Sequence, residues 1–126
     1  MSKPCFSYWK LRALGRHIRI LLAYAGVDHE NREYEMHLVP DSAADMSDWG
    51  NDKAKMSANG ENFANLPGIK DGDFYLSESV AVTRYIAAKW CPALLGSTPE
   101  IGATADMLYS IWHPIRHAGI TVTMAF

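Results

Sequence analysis

The stretch NLPGIKDGDFYLSES, residues 65–79, decides the fold of this chain. Its centre holds Asp71-Gly72, a pair that strongly favours a two-residue turn between antiparallel strands. Apolar residues flank the pair, with Leu66 and Ile69 before it and Phe74 to Leu76 after it. We therefore expect two antiparallel strands that meet at Asp71-Gly72.

The end of the same stretch has the features of a helix start. Ser77 can cap a helix, and Glu78 would begin it, where a negative charge is favourable at the positive end of the helix dipole. Apolar residues between Val82 and Ala88 continue the helical spacing, and Pro92 ends it. This half of the pattern therefore predicts strand, strand and helix.

The residues before this stretch predict a strand, a helix and a second strand. Cys5 to Trp9 is a short apolar and aromatic run, which favours a buried strand. Leu14 to Ala25 carries apolar residues at helical spacing, and Gly26 supplies a stop. Asn31 to Met36 is polar with large side chains at alternate positions, which favours an exposed strand.

The segment Pro40 to Asn62 joins the two halves. It is rich in Asp, Ser, Asn, Gly and Ala, with Trp49 and Met56 as its large apolar anchors. Such composition is typical of an irregular connection that carries function, and we expect one short helix within it.

A further helical pattern begins at Thr98, and Pro114 interrupts it. A proline inside a helix costs about 3 kcal/mol, so we expect a kink or an end near Ile111 to His113. The stretch Ile120 to Phe126 is apolar and uncharged. One helix cannot bury that surface, so either further chain or a partner is expected to cover it.

Composition is that of an ordinary globular domain. The 126 residues are 48% hydrophobic and 21% charged, which excludes the disordered and fibrous classes. Twelve basic and fourteen acidic residues give 12 − 14 = −2, so we expect neither a nucleic acid nor an anionic membrane as a partner. No apolar stretch approaches the roughly 20 residues of a membrane-spanning helix.

The start of the chain and its cysteines bear on location. Residues 1–5 show no secretory signal, so we expect a cytoplasmic protein. Cys5 and Cys91 lie far apart and outside any CxxC pair, so we predict no disulfide scaffold. His113 and His117 stand four residues apart without a third ligand nearby, so we predict no metal site.

The order βαβ then ββα, with a proline before the third strand, resembles a thioredoxin-like domain. Over about Cys5 to Met107 the chain resembles the mu class of the glutathione S-transferases. The resemblance depends on several strings in matching order: Tyr8-Trp9-Lys10-Leu11-Arg12, Ile18-Arg19-Ile20-Leu21-Leu22 with Tyr24, Asn65-Leu66-Pro67, Asp71-Gly72, and Glu78-Ser79 through Arg84-Tyr85-Ile86-Ala87. It implies an α/β fold, with a thioredoxin-like glutathione-binding domain at residues 1–91 and the start of an all-α domain at 92–126.

The resemblance implies a transferase that conjugates glutathione to small electrophiles, with a role in detoxification. A thiol has a pKa of about 8.5, so the protein must stabilise the thiolate for attack at neutral pH. Tyr8 matches the family's catalytic tyrosine, whose hydroxyl donates a hydrogen bond to the glutathione sulfur. By position alone, a core tyrosine is the alternative interpretation.

The resemblance also implies the remaining contacts to glutathione. Leu66, before a cis proline, offers its backbone amide groups to the cysteinyl part, and the helix start binds the γ-glutamyl carboxylate. Trp49 and Lys53 match contacts to the glycyl carboxylate. The full set of implied glutathione-binding residues is Tyr8, Trp9, Trp49, Lys53, Asn65, Leu66, Pro67, Glu78 and Ser79.

A homodimer is the implied assembly. Phe63 resembles the aromatic side chain that inserts between helices of the partner subunit. Arg84 and Asp106 resemble an ion pair across the twofold axis. No metal cofactor is implied.

Three positions depart from the mu pattern. Met46 replaces an arginine that contacts a carboxylate, Pro114 falls where an acidic residue reaches across the dimer, and Met124 falls where a tyrosine assists the electrophile. A non-catalytic subunit, docked in a larger assembly through the apolar surface 105–126, is therefore the alternative hypothesis. Prostaglandin isomerisation, as in the related sigma class, would use the same tyrosine and glutathione.

Overall fold

The structure is a computed structural model that describes residues 3–37, 40, 42–61 and 63–124, with side chains as far as Ile115. The predicted apolar surface 105–126 is thus described only in part, and the side chains of His117, Ile120, Met124 and Phe126 lie outside the described residues. The chain divides into two compact units, Met1–Ile86 and Ala87–Phe126.

The first unit begins with the predicted strand, helix and strand. Strand β1 is Cys5–Trp9, helix α1 is Gly15–Tyr24, and strand β2 is Glu30–Tyr34. The prediction for β1 is confirmed, whereas β2 begins one residue before the predicted Asn31 and ends two residues before Met36. β1 and β2 are parallel, which is the pairing that a crossover helix such as α1 permits.

The segment between β2 and the hairpin is more regular than predicted. The one short helix expected there is helix α2, Ser47–Ala58, and its 12 residues make it longer than predicted. Asp48 lies in its first turn and Lys55 in its last, so both charges interact favourably with the helix dipole. Trp49 is its one buried residue. A single buried position is too few to produce the periodic apolar pattern from which a helix is predicted.

The hairpin is present, but its turn lies one residue later than predicted. Strand β3 is Gly68–Asp71 and strand β4 is Phe74–Ser77, with Asp71 paired to Phe74. The two turn residues are therefore Gly72 and Asp73. Gly72 has a φ of 61°, a conformation that glycine adopts without steric cost. The sheet order is β2-β1-β3-β4, with β3 antiparallel to β1.

Helix α3, Ser79–Trp90, follows the hairpin and starts one residue after the predicted Glu78. A short 3₁₀ helix, Pro92–Leu95, comes next, as expected for a proline that ends a helix. Helix α4, Pro99–Met124, continues through Pro114, so of the predicted kink or end near Ile111 to His113 the end is wrong. A proline removes one hydrogen bond and crowds one turn, and complete helical turns on both sides outweigh that loss.

The core of the first unit lies between the sheet and the helices α1 and α3. Alternate residues of a strand point to opposite faces, and β1 buries Phe6 and Tyr8 on the core face. His17 of α1 and Thr83 of α3 are hydrogen-bond partners at 3.1 Å. The largest fully buried side chains are those of Phe6, Ile18, Leu22, Ile69, Ile86, Val82 and Pro67. Together these elements form the α/β thioredoxin-like fold followed by helices.

No helix within the described ranges is long and apolar enough to cross a membrane.

Candidate functional site

The ends of strands β1, β3 and β4 lie side by side in the sheet, and several of the predicted site residues lie next to these ends. Ser7 of β1 pairs with Gly68 of β3, and Gly68 pairs with Ser77 of β4. Tyr8 and Trp9 therefore follow one end of this row, Leu66 and Pro67 precede its middle, and Glu78 and Ser79 follow its other end. The fold thus brings residues far apart in sequence to the same edge.

Tyr8 lies at the carboxyl end of β1, and its side chain is 4% exposed. The backbone amide of Leu14 donates a hydrogen bond to the Tyr8 hydroxyl oxygen at 3.1 Å. A hydroxyl that accepts such a bond becomes a stronger donor itself. The ring stacks against Phe6 with 6.5 Å between centroids. The hydroxyl is therefore fixed at the turn between β1 and α1.

Arg19 is a positioning residue that sequence reasoning missed, because its place between Ile18 and Ile20 suggested the polar side of α1. Its guanidinium donates to the Leu11 carbonyl at 3.0 Å and forms an ion pair with Glu33 at 3.1 Å. It also lies 5.9 Å from the centre of the Tyr8 ring. Arg19 thus fastens the chain that leaves β1 against β2.

Trp49 packs its ring edge against Tyr34, with 5.2 Å between the ring centroids. Trp9 contacts the same tyrosine ring from a second direction, at 6.3 Å. Tyr34 therefore joins two of the predicted binding residues, a role that its place in a polar strand did not indicate. Lys53 lies one helical turn after Trp49, and its side chain is exposed.

The segment that enters β3 is tightly held. Leu66 and Pro67 are buried, and the peptide bond between them is cis, as the resemblance implied. The Tyr75 hydroxyl donates to the Asn65 carbonyl at 2.9 Å. The Asn65 side-chain amide donates to the Glu78 carboxylate at 3.1 Å. Asn65 thereby ties this segment to the start of α3.

Glu78 has a φ of 74°, in the left-handed region that L residues rarely adopt. Its carbonyl accepts the first hydrogen bond of α3, from the Val82 amide at 2.9 Å, so Glu78 is the capping residue and not the first helical residue. Ser79 follows at the helix start and is buried. Strained backbone that is fixed at a helix start is typical of functional sites.

The predicted dimer residues are all at the surface. Phe63 is 91% exposed, with a φ of 60°. Arg84 on α3 and Asp106 on α4 are exposed and belong to different units. Their predicted contacts with a second subunit stay predictions.

A metal site has no support in the described part of the chain, where no three His, Cys, Asp or Glu side chains are grouped to hold an ion.

Comparisons with known proteins identify relatives of this chain. The family model for the N-terminal domain of glutathione S-transferases matches residues 5–88. A glutathione S-transferase of Dermatophagoides pteronyssinus is 38% identical over 90 residues, which cover 71% of this chain and 39% of that protein. Glutathione S-transferase Mu 1 of Bos taurus is 41% identical over 101 residues, covering 80% of this chain and 43% of that protein.

Solved structures give the same result. The glutathione S-transferase from Ascaris lumbricoides superposes with a TM-score of 0.67 at 25% identity, over 90% of this chain and 47% of that one. The chain spans less than half the length of these relatives. Because the family model covers residues 5–88 and the relatives include mu-class proteins, the chain is a mu-class-like member of the glutathione S-transferase family.

Proposed function

We propose that this chain binds glutathione and that Tyr8 activates the bound thiol for conjugation to a small electrophile. The observation that supports the proposal is the Tyr8 hydroxyl, which accepts a hydrogen bond from the Leu14 amide. Tyr8 is a buried residue and follows Ser7, whose pairing with Gly68 and, through it, Ser77 brings the strand ends near Leu66 and Ser79 into the same row. A donor in this position stabilises developing negative charge on sulfur.

The other contacts would come from the same row of strand ends and from helix α2. The glutathione backbone would pair with Leu66, its γ-glutamyl carboxylate would meet Ser79 and the α3 start, and its glycyl carboxylate would meet Trp49 and Lys53. Such a protein is expected to be cytoplasmic and dimeric, with Phe63, Arg84 and Asp106 at the interface. Trp9, Pro67, Asn65 and Glu78 complete the proposed site.

The test replaces Tyr8→Phe and measures binding and conjugation separately. Calorimetric titration with glutathione should give an affinity within about twofold of the unmodified chain, because only the sulfur donor is lost. Conjugation of a chlorodinitrobenzene, in which sulfur displaces chloride at the ring carbon, should slow on the order of 100-fold. Tyr24→Phe is the control, since Tyr24 is exposed on α1 and should change neither quantity.

Two results would count against this proposal. Absence of heat at millimolar glutathione would remove the binding function, and full activity of Tyr8→Phe would remove the catalytic role of Tyr8.

A second candidate function is a glutathione transferase-like subunit that acts by its shape in a larger assembly. It is favoured by the large apolar side chains exposed on α4, including Leu108, Ile111 and Ile115. Glutathione binding without any conjugation by the unmodified chain would favour this candidate.

A further inference from the structure

Helices α1 and α3 are joined by two side chains that the proposed site does not include. His17 of α1 and Thr83 of α3 are 66 positions apart in the sequence, and His17 Nε2 lies 3.1 Å from Thr83 Oγ1. Thr83 Oγ1 in turn donates to the Ser79 carbonyl oxygen at 2.7 Å. These groups therefore form one continuous chain of hydrogen bonds that ends at the start of α3.

The chemistry of these groups fixes the direction of both hydrogen bonds. A carbonyl oxygen can only accept, so the single proton of the Thr83 hydroxyl must point to Ser79. Thr83 Oγ1 then has only lone pairs to offer to His17, and the proton between them must belong to Nε2 of the imidazole. The structure thus specifies a His17 ring that is protonated at Nε2.

The Thr83 hydroxyl differs from other hydroxyls that bond within their own helix. A Ser or Thr hydroxyl can bond to the carbonyl four residues before it, and Thr104 of α4 does so with Glu100 at 2.8 Å in an exposed position. Thr83 is half-buried and also accepts a hydrogen bond from a second helix. A hydroxyl that accepts such a bond becomes a stronger donor, so His17 strengthens the bond to Ser79.

The bond to the Ser79 carbonyl also orients an amide at the start of α3. The Ser79 carbonyl and the Val80 amide belong to one planar peptide unit. The first hydrogen bond inside α3 runs from the Val82 amide to the Glu78 carbonyl, so the Val80 amide has no acceptor within the helix. Holding the Ser79 oxygen therefore fixes the direction in which the Val80 N–H points.

The start of α3 needs such support. Glu78 has a φ of 74°, a costly conformation that persists only where neighbouring groups enforce it. The ends of a helix also open more easily than its centre. Asn65 holds the Glu78 side chain, and Thr83 holds the Ser79 carbonyl from within the helix. An anion at this helix start would therefore meet amides that already point in fixed directions.

We propose that His17 and Thr83 are positioning residues for the γ-glutamyl carboxylate of glutathione, because they hold Ser79 and the Val80 amide in place to receive it. This inference rests on the proposed glutathione function and adds two residues that act on the ligand through Ser79 and Val80.

The experiment compares glutathione with 4-aminobutanoyl-cysteinyl-glycine, which is glutathione without the γ-glutamyl carboxylate. Thr83→Val keeps the shape of the side chain and removes its hydroxyl. NMR titration of the ¹⁵N-labelled chain should show that this variant binds glutathione about tenfold more weakly, a ratio that corresponds to about 1.4 kcal/mol. Its affinity for the analogue should change by less than about twofold, because the analogue lacks the group that the oriented amide binds.

Two variants test whether the effect passes through the hydrogen-bond chain. Thr83→Ser keeps the hydroxyl and should bind glutathione within about twofold of the unmodified chain. His17→Phe removes the donor and should weaken glutathione binding selectively, as Thr83→Val does. Combining His17→Phe with Thr83→Val should cause little further loss, because both residues act through the same bond to Ser79.

Thr104→Val is the matched control. It removes a hydroxyl that donates to the carbonyl four residues before it near the start of α4, and it should leave the affinities for both ligands unchanged.

The protonation of His17 gives a test that needs no ligand. Ring ¹⁵N spectra at about pH 8, where an ordinary histidine is neutral, should show the proton of His17 on Nε2. The loss of the signals in His17→Phe assigns them. A proton on Nδ1 alone would overturn the proposal.

Three binding results would also overturn it. These are unchanged glutathione affinity in Thr83→Val, an equal loss of affinity for glutathione and the analogue, and a Thr83→Ser chain that binds glutathione no better than Thr83→Val. Absence of glutathione binding by the unmodified chain would instead overturn the proposed function itself, and this inference with it.

Discussion

Gly15, the first residue of α1, lies directly against the Tyr8 ring. A Cβ atom at this position would overlap Cδ1 of Tyr8 and would lie 2.9 Å from Cγ of the same ring and 3.0 Å from a guanidinium nitrogen of Arg19. Gly15 therefore leaves the space that the Tyr8 ring occupies.

The variant Gly15→Ala should lower the free energy of unfolding by about 1–3 kcal/mol, as overpacking in a filled site does. It should also lower conjugation activity, because the Tyr8 ring must move. Gly50→Ala is the control, since Gly50 lies in α2 with open space around it, and should raise stability by about 0.5–1 kcal/mol. Urea unfolding measures both. A Gly15→Ala chain as stable as the unmodified one would contradict this packing.

Residues of the site differ in how visible they are in the sequence. Tyr8 and Ser79 stand in strings that match a family, so their places at a strand end and a helix start could be predicted. Arg19 and Tyr34 could not. Arg19 donates a hydrogen bond to the Leu11 carbonyl, and Tyr34 contacts Trp49 of helix α2. Contacts of this kind leave no periodic pattern in the sequence.

At the scale of elements, Asp52 joins α2 to β2. Its carboxylate accepts hydrogen bonds from Tyr34 and Arg32 at 3.0 Å and from Lys55 at 3.3 Å. Burial alone would raise the pKa of Asp52, but these hydrogen bonds outweigh it and hold the pKa below its usual value of 3.8. The interaction between the two elements is therefore sensitive to acid.

A depressed pKa in the folded state stabilises the fold above the unfolded-state value, and the stabilisation is lost as pH falls through the folded-state pKa. Asp52→Asn should therefore be less stable than the unmodified chain at pH 7 and should lose less stability between about pH 5 and pH 2. Thermal unfolding across this range measures both. Asp28→Asn is the control, because Asp28 is 76% exposed in its ion pair with Lys3. Parallel pH curves for Asp52→Asn and the unmodified chain would contradict the role of Asp52.

The order of elements was predictable, but some of their limits were not. The strand Cys5–Trp9 and the hairpin have strong local signals. Helix α2 shows one buried anchor, Trp49, too few for a periodic pattern. The turn lies at Gly72-Asp73 because Asp71 pairs with Phe74 across the two strands. The pair Asp71-Gly72 predicts a turn in this part of the sequence but leaves its exact position open by one residue.

On the scale of the whole molecule, α4 exposes a row of large apolar side chains. Six are about half exposed or more, namely Ile101, Met107, Leu108, Ile111, Trp112 and Ile115. Contiguous apolar surface of this kind is typical of an interface. A polypeptide of these 126 residues should therefore bind a hydrophobic dye.

The variant Trp112→Ser with Ile115→Ser should reduce that dye fluorescence and leave glutathione binding unchanged. Ile20→Ser with Tyr24→Ser is the control, because it removes two exposed side chains of α1 and should leave the dye signal nearly unchanged. A dye-silent, monomeric polypeptide would contradict an interface on α4.

Strand β2 forms one edge of the sheet, and its first four residues, Glu30 to Glu33, are exposed. An open edge invites a strand from another molecule, but charged side chains oppose such pairing. Fibril growth from this edge is thereby disfavoured, since each added strand would lie against the charged side chains of Glu30, Arg32 and Glu33. A partner that packs on a helix face covers the exposed apolar side chains. A strand that joins a sheet edge instead exposes a new edge with unpaired backbone groups, to which another strand can add. Copies that meet through α4 without strand addition at β2 should therefore dissociate on dilution.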